Sequence, residues 1–202
     1  MMHASHHIQS YCHVRNGSVL LNGKTIFESA ASDWKTFSKT AYRQLDMDHS
    51  KFFKMDTLSK LAMIASEPLL RSEPEKNIAL VLSNRASSLD TDRKHQKSIE
   101  DPEQFYPSPA VFVYTLPNIC LGEISIKHRL FSENSFFVFD TFNADILYDY
   151  ATGLLNGNSA EKVLCGWVDN DNEKYGAFLY VVAKNGIFTH SKKRINQLYQ
   201  TP

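Results

Sequence analysis

The sequence predicts an α/β fold of three layers, with a mixed five-stranded sheet held between helices. Three observations lead there. Runs such as Ala79-Leu80-Val81-Leu82 and Val163-Leu164 are apolar on both faces, as strands covered by helices on both sides must be. Leu58, Leu61, Ala62, Ala65 and Leu69 recur at helical spacing and mark a stripe that faces a core. Between Thr115 and Asp169 the chain reads helix, strand, helix, strand. The central strands are expected near residues 8–14, 77–83, 134–141, 162–168 and 176–182.

Taken in order, the chain begins with two short strands between Ile8 and Lys24 that flank an Asn16-Gly17 pair, with Asn22-Gly23 following. Asn-Gly between apolar runs is a hairpin signal. Ser32 or Asp33 can cap a helix that includes Trp34, Phe37 and Tyr42. A second helix begins near Thr57 and leads to the buried-strand pattern of residues 77–83. The polar stretch from Arg85 to Gln104, rich in Asp, Lys and Ser, reads as a solvated loop or exposed helix. The strand at 134–141 runs straight into the N-terminus of a helix at 142–155. After the acidic turn at 170–173 comes the strand at 176–182. The chain closes on a basic cluster, Lys192-Lys193-Arg194, read as a solvated ending in preference to a contact for an acidic carrier protein.

Composition narrows the function. The 202 residues fit one domain, 1–202, with a substantial core. Lys and Arg number 22 and so do Asp and Glu, which removes the electrostatic argument for nucleic acid or an anionic membrane surface. Three cysteines, at 12, 120 and 165, are too few for a disulfide framework and read as reduced thiols. No window approaches the roughly 18 apolar residues that span a bilayer, and the N-terminus lacks the apolar core of a signal peptide, so a cytoplasmic location is expected. His3, His6 and His7 crowd one end without a carboxylate or thiolate at ligand spacing, and no metal site is expected there. There is no Gly-x-Ser-x-Gly elbow, no glycine-rich phosphate loop and no His-Glu-x-x-His. With only eight Gly, a nucleotide site and a cofactor are not expected.

In order and spacing, the stretch 115–169 resembles the active-site region of the β-ketoacyl-acyl-carrier-protein synthases. Leu116-Pro117-Asn118 opens a helix, Ser125-Ile126-Lys127-His128-Arg129-Leu130 closes it, and an Asn, a strand, the family's reactive Cys and a further helix follow. Lys54-Met55-Asp56-Thr57 and the helix after it resemble another family segment, and Tyr175-Gly176-Ala177 is a reduced form of its Gly-Glu-Gly-Ala motif. Residues 123–130 alternate in polarity, which by itself favours a strand. The resemblance, Asn118 as a cap, and the helical spacing of Cys120, Leu121 and Ile124 favour a helix. The resemblance implies the N-terminal half of a thiolase-like fold.

Counting seven residues on from Asn134 puts the family's Cys position at Thr141, and sliding by one residue gives Asp140 or Phe142. None is Cys. The resemblance also implies that the two His which polarise the thioester belong to a second half that this chain does not carry. Claisen condensation needs an activated thiolate, an oxyanion hole and donors to the enolate. Thr141 is therefore expected to be a strand-end residue whose hydroxyl caps the next helix, not a nucleophile.

What remains resembles the chain-length factors, ketosynthase-like subunits whose Cys is replaced, of the kind found beside aryl-polyene and flexirubin assembly lines. The resemblance implies a non-catalytic subunit in fatty acid, polyene or polyketide synthesis. Its partners would be a full-length β-ketoacyl synthase, or a second copy of itself, and acyl carrier protein. It places the association edge on the strand carrying Phe136, Phe137 and Phe139, and a gate to the partner's acyl tunnel at Val111, Phe112 and Thr115. Two alternatives stay open: an active synthase or acyltransferase using Thr141 or Cys165, and a stand-alone module that binds an acyl chain or carrier.

Overall fold

The structure, a computed structural model, describes residues 5–30, 33–103, 105–172 and 174–201. His3 and Ser32 lie outside the described residues. Among the described residues, eight strands form one mixed sheet in the order β3-β2-β1-β7-β6-β4-β5, with β8 paired to β1. They are β1 (His7–Arg15), β2 (Ser18–Leu21), β3 (Lys24–Glu28), β4 (Ile78–Asn84), β5 (Asn134–Val138), β6 (Lys162–Asp171), β7 (Lys174–Ala183) and β8 (Phe188–Thr189). All five expected strands are present. The count of five falls short because β2, β3 and β8 extend the sheet.

The first extension is written locally. Asn16 and Gly17 both take positive φ, 50° and 73°, and Asn22 and Gly23 repeat this at 51° and 78°. Those are the torsions of the tight turns whose twist matches paired strands, so β1, β2 and β3 fold back on one another. Asn22 adds a clamp, its side chain accepting from the Tyr11 N–H at 2.9 Å.

Among the described residues, seven α-helices surround the sheet: α1 (Trp34–Gln44), α2 (Thr57–Leu70), α3 (Leu89–Lys97), α4 (Pro109–Val113), α5 (Ile119–His128), α6 (Ala144–Asn156) and α7 (Lys192–Gln200). Asp33 caps α1 by accepting from Thr36 N, and Asp56 caps α2 by accepting from Ser59 N. The polar stretch after β4 carries the largely exposed α3. Asn118 stands at the start of α5, but its side chain makes no capping bond; the helix there is fixed by burial of Cys120, Leu121 and Ile124.

Strand alternation sorts side chains into two cores. Ile78, Leu80 and Leu82 of β4 pack with α1, α2 and α5, while Ala79 and Val81 pack with α6 and α7. In β1 a register shift between Ile8 and Ser10 changes the parity, which puts Ile8 and Tyr11 on one face. Gly166 of β6 faces β7 with no room for a side chain: its φ is 154°, and a Cβ there would lie 2.0 Å from the Phe178 carbonyl oxygen. No helix among the described residues is long and apolar enough to cross a membrane. No group of three or more His, Cys, Asp or Glu among them could hold a metal ion.

Candidate functional site

β4, β5 and β6 run parallel, so their C-terminal ends share one end of the sheet. The β5–α6 junction lies there. β5 ends at Val138 and α6 begins at Ala144; five residues lie between them, and Thr141 is exposed on that bend. The α6 cap is Asn143, whose side chain accepts from Ile146 N at 3.1 Å. This corrects the expectation that Thr141 supplies the cap. It also moves the helix start from 142 to 144.

Phe142 turns inward instead. Its ring stacks on Tyr199 of α7 at 3.9 Å and meets Trp167 and Phe178 edge-on at 6.2 and 5.8 Å. An aromatic plug thus occupies the space beneath the helix N-terminus. Asp140 and Asp145 are exposed around the same turn, and their charge opposes any anion developing there.

The three thiols are elsewhere. Cys12, Cys120 and Cys165 are each completely buried, and burial pushes all three thiols far above the ordinary range. Cys165 lies in mid-sheet opposite Tyr180 and is not a nucleophile in this fold. His128 is committed to structure: its Nε2 lies 3.4 Å from Glu67 Oε2, with both side chains buried. Burial alone would raise the Glu67 carboxyl, but His128, Lys127 and Arg71 more than offset it and hold it below the usual range.

β5 is an edge strand, bonded among the described residues to β4 alone. Phe136 packs toward the α2–α5 core and Phe137 toward the α6 core; Phe139 stacks parallel to Phe137 at 5.7 Å. The sequence marked these three but not the apolar residues beside them. Val138, Ile126 and Phe131 are 53%, 65% and 85% exposed, and α5 lies against β5, where Asn134 bonds Ser125 across 3.3 Å. No pattern in the sequence separates these from core residues, since exposure depends on where the sheet stops.

The Val111–Phe112–Thr115 group lies on and just after α4. Phe112 is 59% exposed, its ring 5.3 Å from that of His95, and its carbonyl accepts from Thr115 Oγ1 at 2.7 Å. Val111 is half-buried. The segment is pinned by two residues the sequence did not single out. Tyr114 donates to the buried Glu123 carboxylate at 2.9 Å, which Lys51 also meets at 2.8 Å, and Ser88 donates to the Thr115 carbonyl. Burial and the Glu123 carboxylate both push the Tyr114 hydroxyl upward. Phe105, Tyr106, Val113 and Leu116 extend this exposed apolar surface.

In class the chain is a mixed α/β protein whose fold is similar to that of solved ketosynthase structures. The structure of the ishigamide ketosynthase/chain length factor matches with a TM-score of 0.66 at 16% identity, covering 89% of this chain and 62% of that one. The ketosynthase ApeO in complex with its chain length factor ApeC, from Xenorhabdus doucetiae, matches at 0.60 and 14%, covering 90% and 80%. A type II PKS acyl-carrier protein in complex with its ketosynthase, AntDE:AntF, matches at 0.59 and 12%, covering 97% and 65%. This chain therefore spans 62% of the first of those chains. No family model matches the sequence, and no curated protein does.

Proposed function

We propose that this chain is a non-catalytic, chain-length-factor-like subunit that pairs with an active β-ketoacyl synthase. It works in the cytoplasm in acyl-carrier-protein-dependent synthesis of a fatty acid, polyene or polyketide, with residues 1–202 acting as one ketosynthase N-terminal-like domain. The observation that carries the reading is the β5–α6 junction. The fold is similar to that of ketosynthases, and where the resemblance puts the acyl-accepting cysteine this chain has an exposed Thr141, flanked by Asp140 and the inward Phe142. A threonine hydroxyl needs an adjacent base to act as a nucleophile, and His128 is held by Glu67.

Phe136, Phe137, Phe139 and the exposed Val138 make β5 the association edge. Val111, Phe112 and Thr115 form the segment that reaches the partner's acyl tunnel. The test is co-expression with a full-length β-ketoacyl synthase, followed by size exclusion with light scattering and a condensation assay with malonyl- and acyl-carrier proteins. A stable complex is expected, with product formed only when the partner is present. A monomer under all conditions, or turnover by this chain alone that Thr141→Ala abolishes, would overturn the reading.

A further inference from the structure

At the end of the sheet where β1 and β6 finish and β7 begins, a cleft of about 370 Å³ opens beside the C-terminal turn of α7. Neither Thr141 nor the β5 edge lines it. Its charged groups are Arg15, Arg85, Lys174, Asp169 and Asp171. The carboxylates are already engaged: Asp169 accepts from the Arg85 and Ala86 N–H groups at 3.1 and 3.0 Å and lies 3.9 Å from the Arg85 guanidinium, and Asp171 pairs with Arg93 at 2.5 Å. Arg15 and Lys174 have no carboxylate partner among the described residues, so the cleft carries uncompensated positive charge.

Unused donors gather at the same place. The Nη2 of Arg15 is buried without a hydrogen-bond partner. Two residues before it on the same face of β1, His13 is 1% exposed and neither ring nitrogen reaches a partner within bonding distance, although the Leu198 and Tyr199 carbonyls lie near enough to favour its protonation. Burial and the Arg15 charge outweigh those carbonyls and lower His13 to about 4, so a neutral imidazole floors the cleft. Buried polar groups are nearly always bonded, and a guanidinium edge left unbonded is a strong carboxylate receptor. On that face Trp167 and Tyr199 supply flat apolar walls, both packed against Phe142.

We propose that this cleft binds a small carboxylate, its charged end held by Arg15 and Lys174 and its planar or apolar body laid against Trp167 and Tyr199. The rim carboxylates Asp169 and Asp171 select a monoanion over a doubly charged phosphate. The site is independent of the pairing proposed above. The test is calorimetric titration of the full chain with benzoate and, separately, inorganic phosphate at constant ionic strength, with Trp167, which lines the cleft, as a fluorescent reporter. Benzoate is expected to bind at one saturable site, weakened tenfold or more by Arg15→Gln and severalfold by Lys174→Gln. Lys174 is exposed, so its variant keeps the test decisive should Arg15→Gln fail to fold. Non-saturable benzoate binding, full affinity in both variants, or tighter binding of phosphate would each overturn the proposal.

Discussion

At one end of the sheet, β3 presents Lys24, Thr25 and Glu28 to solvent on a short strand with a register shift in its pairing to β2. At the other end, β5 presents Val138 beside Phe136 and Phe137, with Ile126 and Phe131 exposed on and just beyond the neighbouring helix. Both strands leave a row of backbone groups unpaired. Charge and irregularity protect β3 from edge-to-edge association, and nothing comparable protects β5. The difference is that β3 is suited to stand open to solvent, whereas the apolar residues on and beside β5 fit the pairing proposed for it. It also separates β5 from β4, which has the same apolar character but is buried throughout.

The sharpest way to break the comparison is Phe137→Asp. Phe137 packs on Tyr150 at 5.2 Å as well as on Phe139, so a charge there disrupts the α6 core along with the edge. We expect a loss of at least about 3 kcal/mol in chemical denaturation and no complex in light scattering. A folded variant that still assembles would remove β5 from the interface.

Glu67→Gln comes next, because α2 holds α5 against the β5 flank through Glu67, Lys127 and His128, whereas β3 has no such buttress. Removing one member of a buried ion pair costs about 3 kcal/mol. The folded Glu67 carboxyl lies below its ordinary value, so its contribution is complete above that value and is lost as pH falls through the folded one. Denaturation from pH 7 downward should decline more steeply in the wild type than in the variant. Hydrogen exchange should rise in β5 and not in β3.

Val138→Lys tests the edge without the core, since that side chain is 53% exposed. Assembly should weaken by about 2 kcal/mol, roughly thirtyfold in Kd, with the monomer's melting temperature unchanged. The matched change on β3, Ile26→Lys, should leave assembly as it was. Equal effects from the two would end the distinction between the edges.

Phe112→Ala is the mildest. With Tyr114 anchored to Glu123, α4 should stay in place and assembly should move by less than about 0.5 kcal/mol. The product made with an active partner should lengthen, as mass spectrometry of the released chains would read. Unchanged length would detach Phe112 from the tunnel.

The sequence by itself determined the parts of this protein that depend on neighbours in the chain. The Asn-Gly pairs at 16–17 and 22–23 specify their turns through left-handed torsions, and Asp33 and Asp56 specify helix starts through one hydrogen bond each. Apolar residues on both faces of 79–82 demanded cover on two sides, and residues 140–142, where the resemblance puts a reactive cysteine, hold none. Tertiary structure decided the rest. An apolar pattern reports how much burial a strand wants, not which strand lies beside it, so nothing local distinguishes the β5 edge from the buried β4. Residues 123–130 could have alternated as a strand; packing of Cys120, Leu121 and Ile124 against α2 made them a helix. Thr141 lost the cap to Asn143 because the chain needs two further residues, one of them the inward Phe142, to turn from sheet to helix. The Arg15 cleft joins residues from both ends of the chain, and only the closing of β1 against β7 brings their charges to one place.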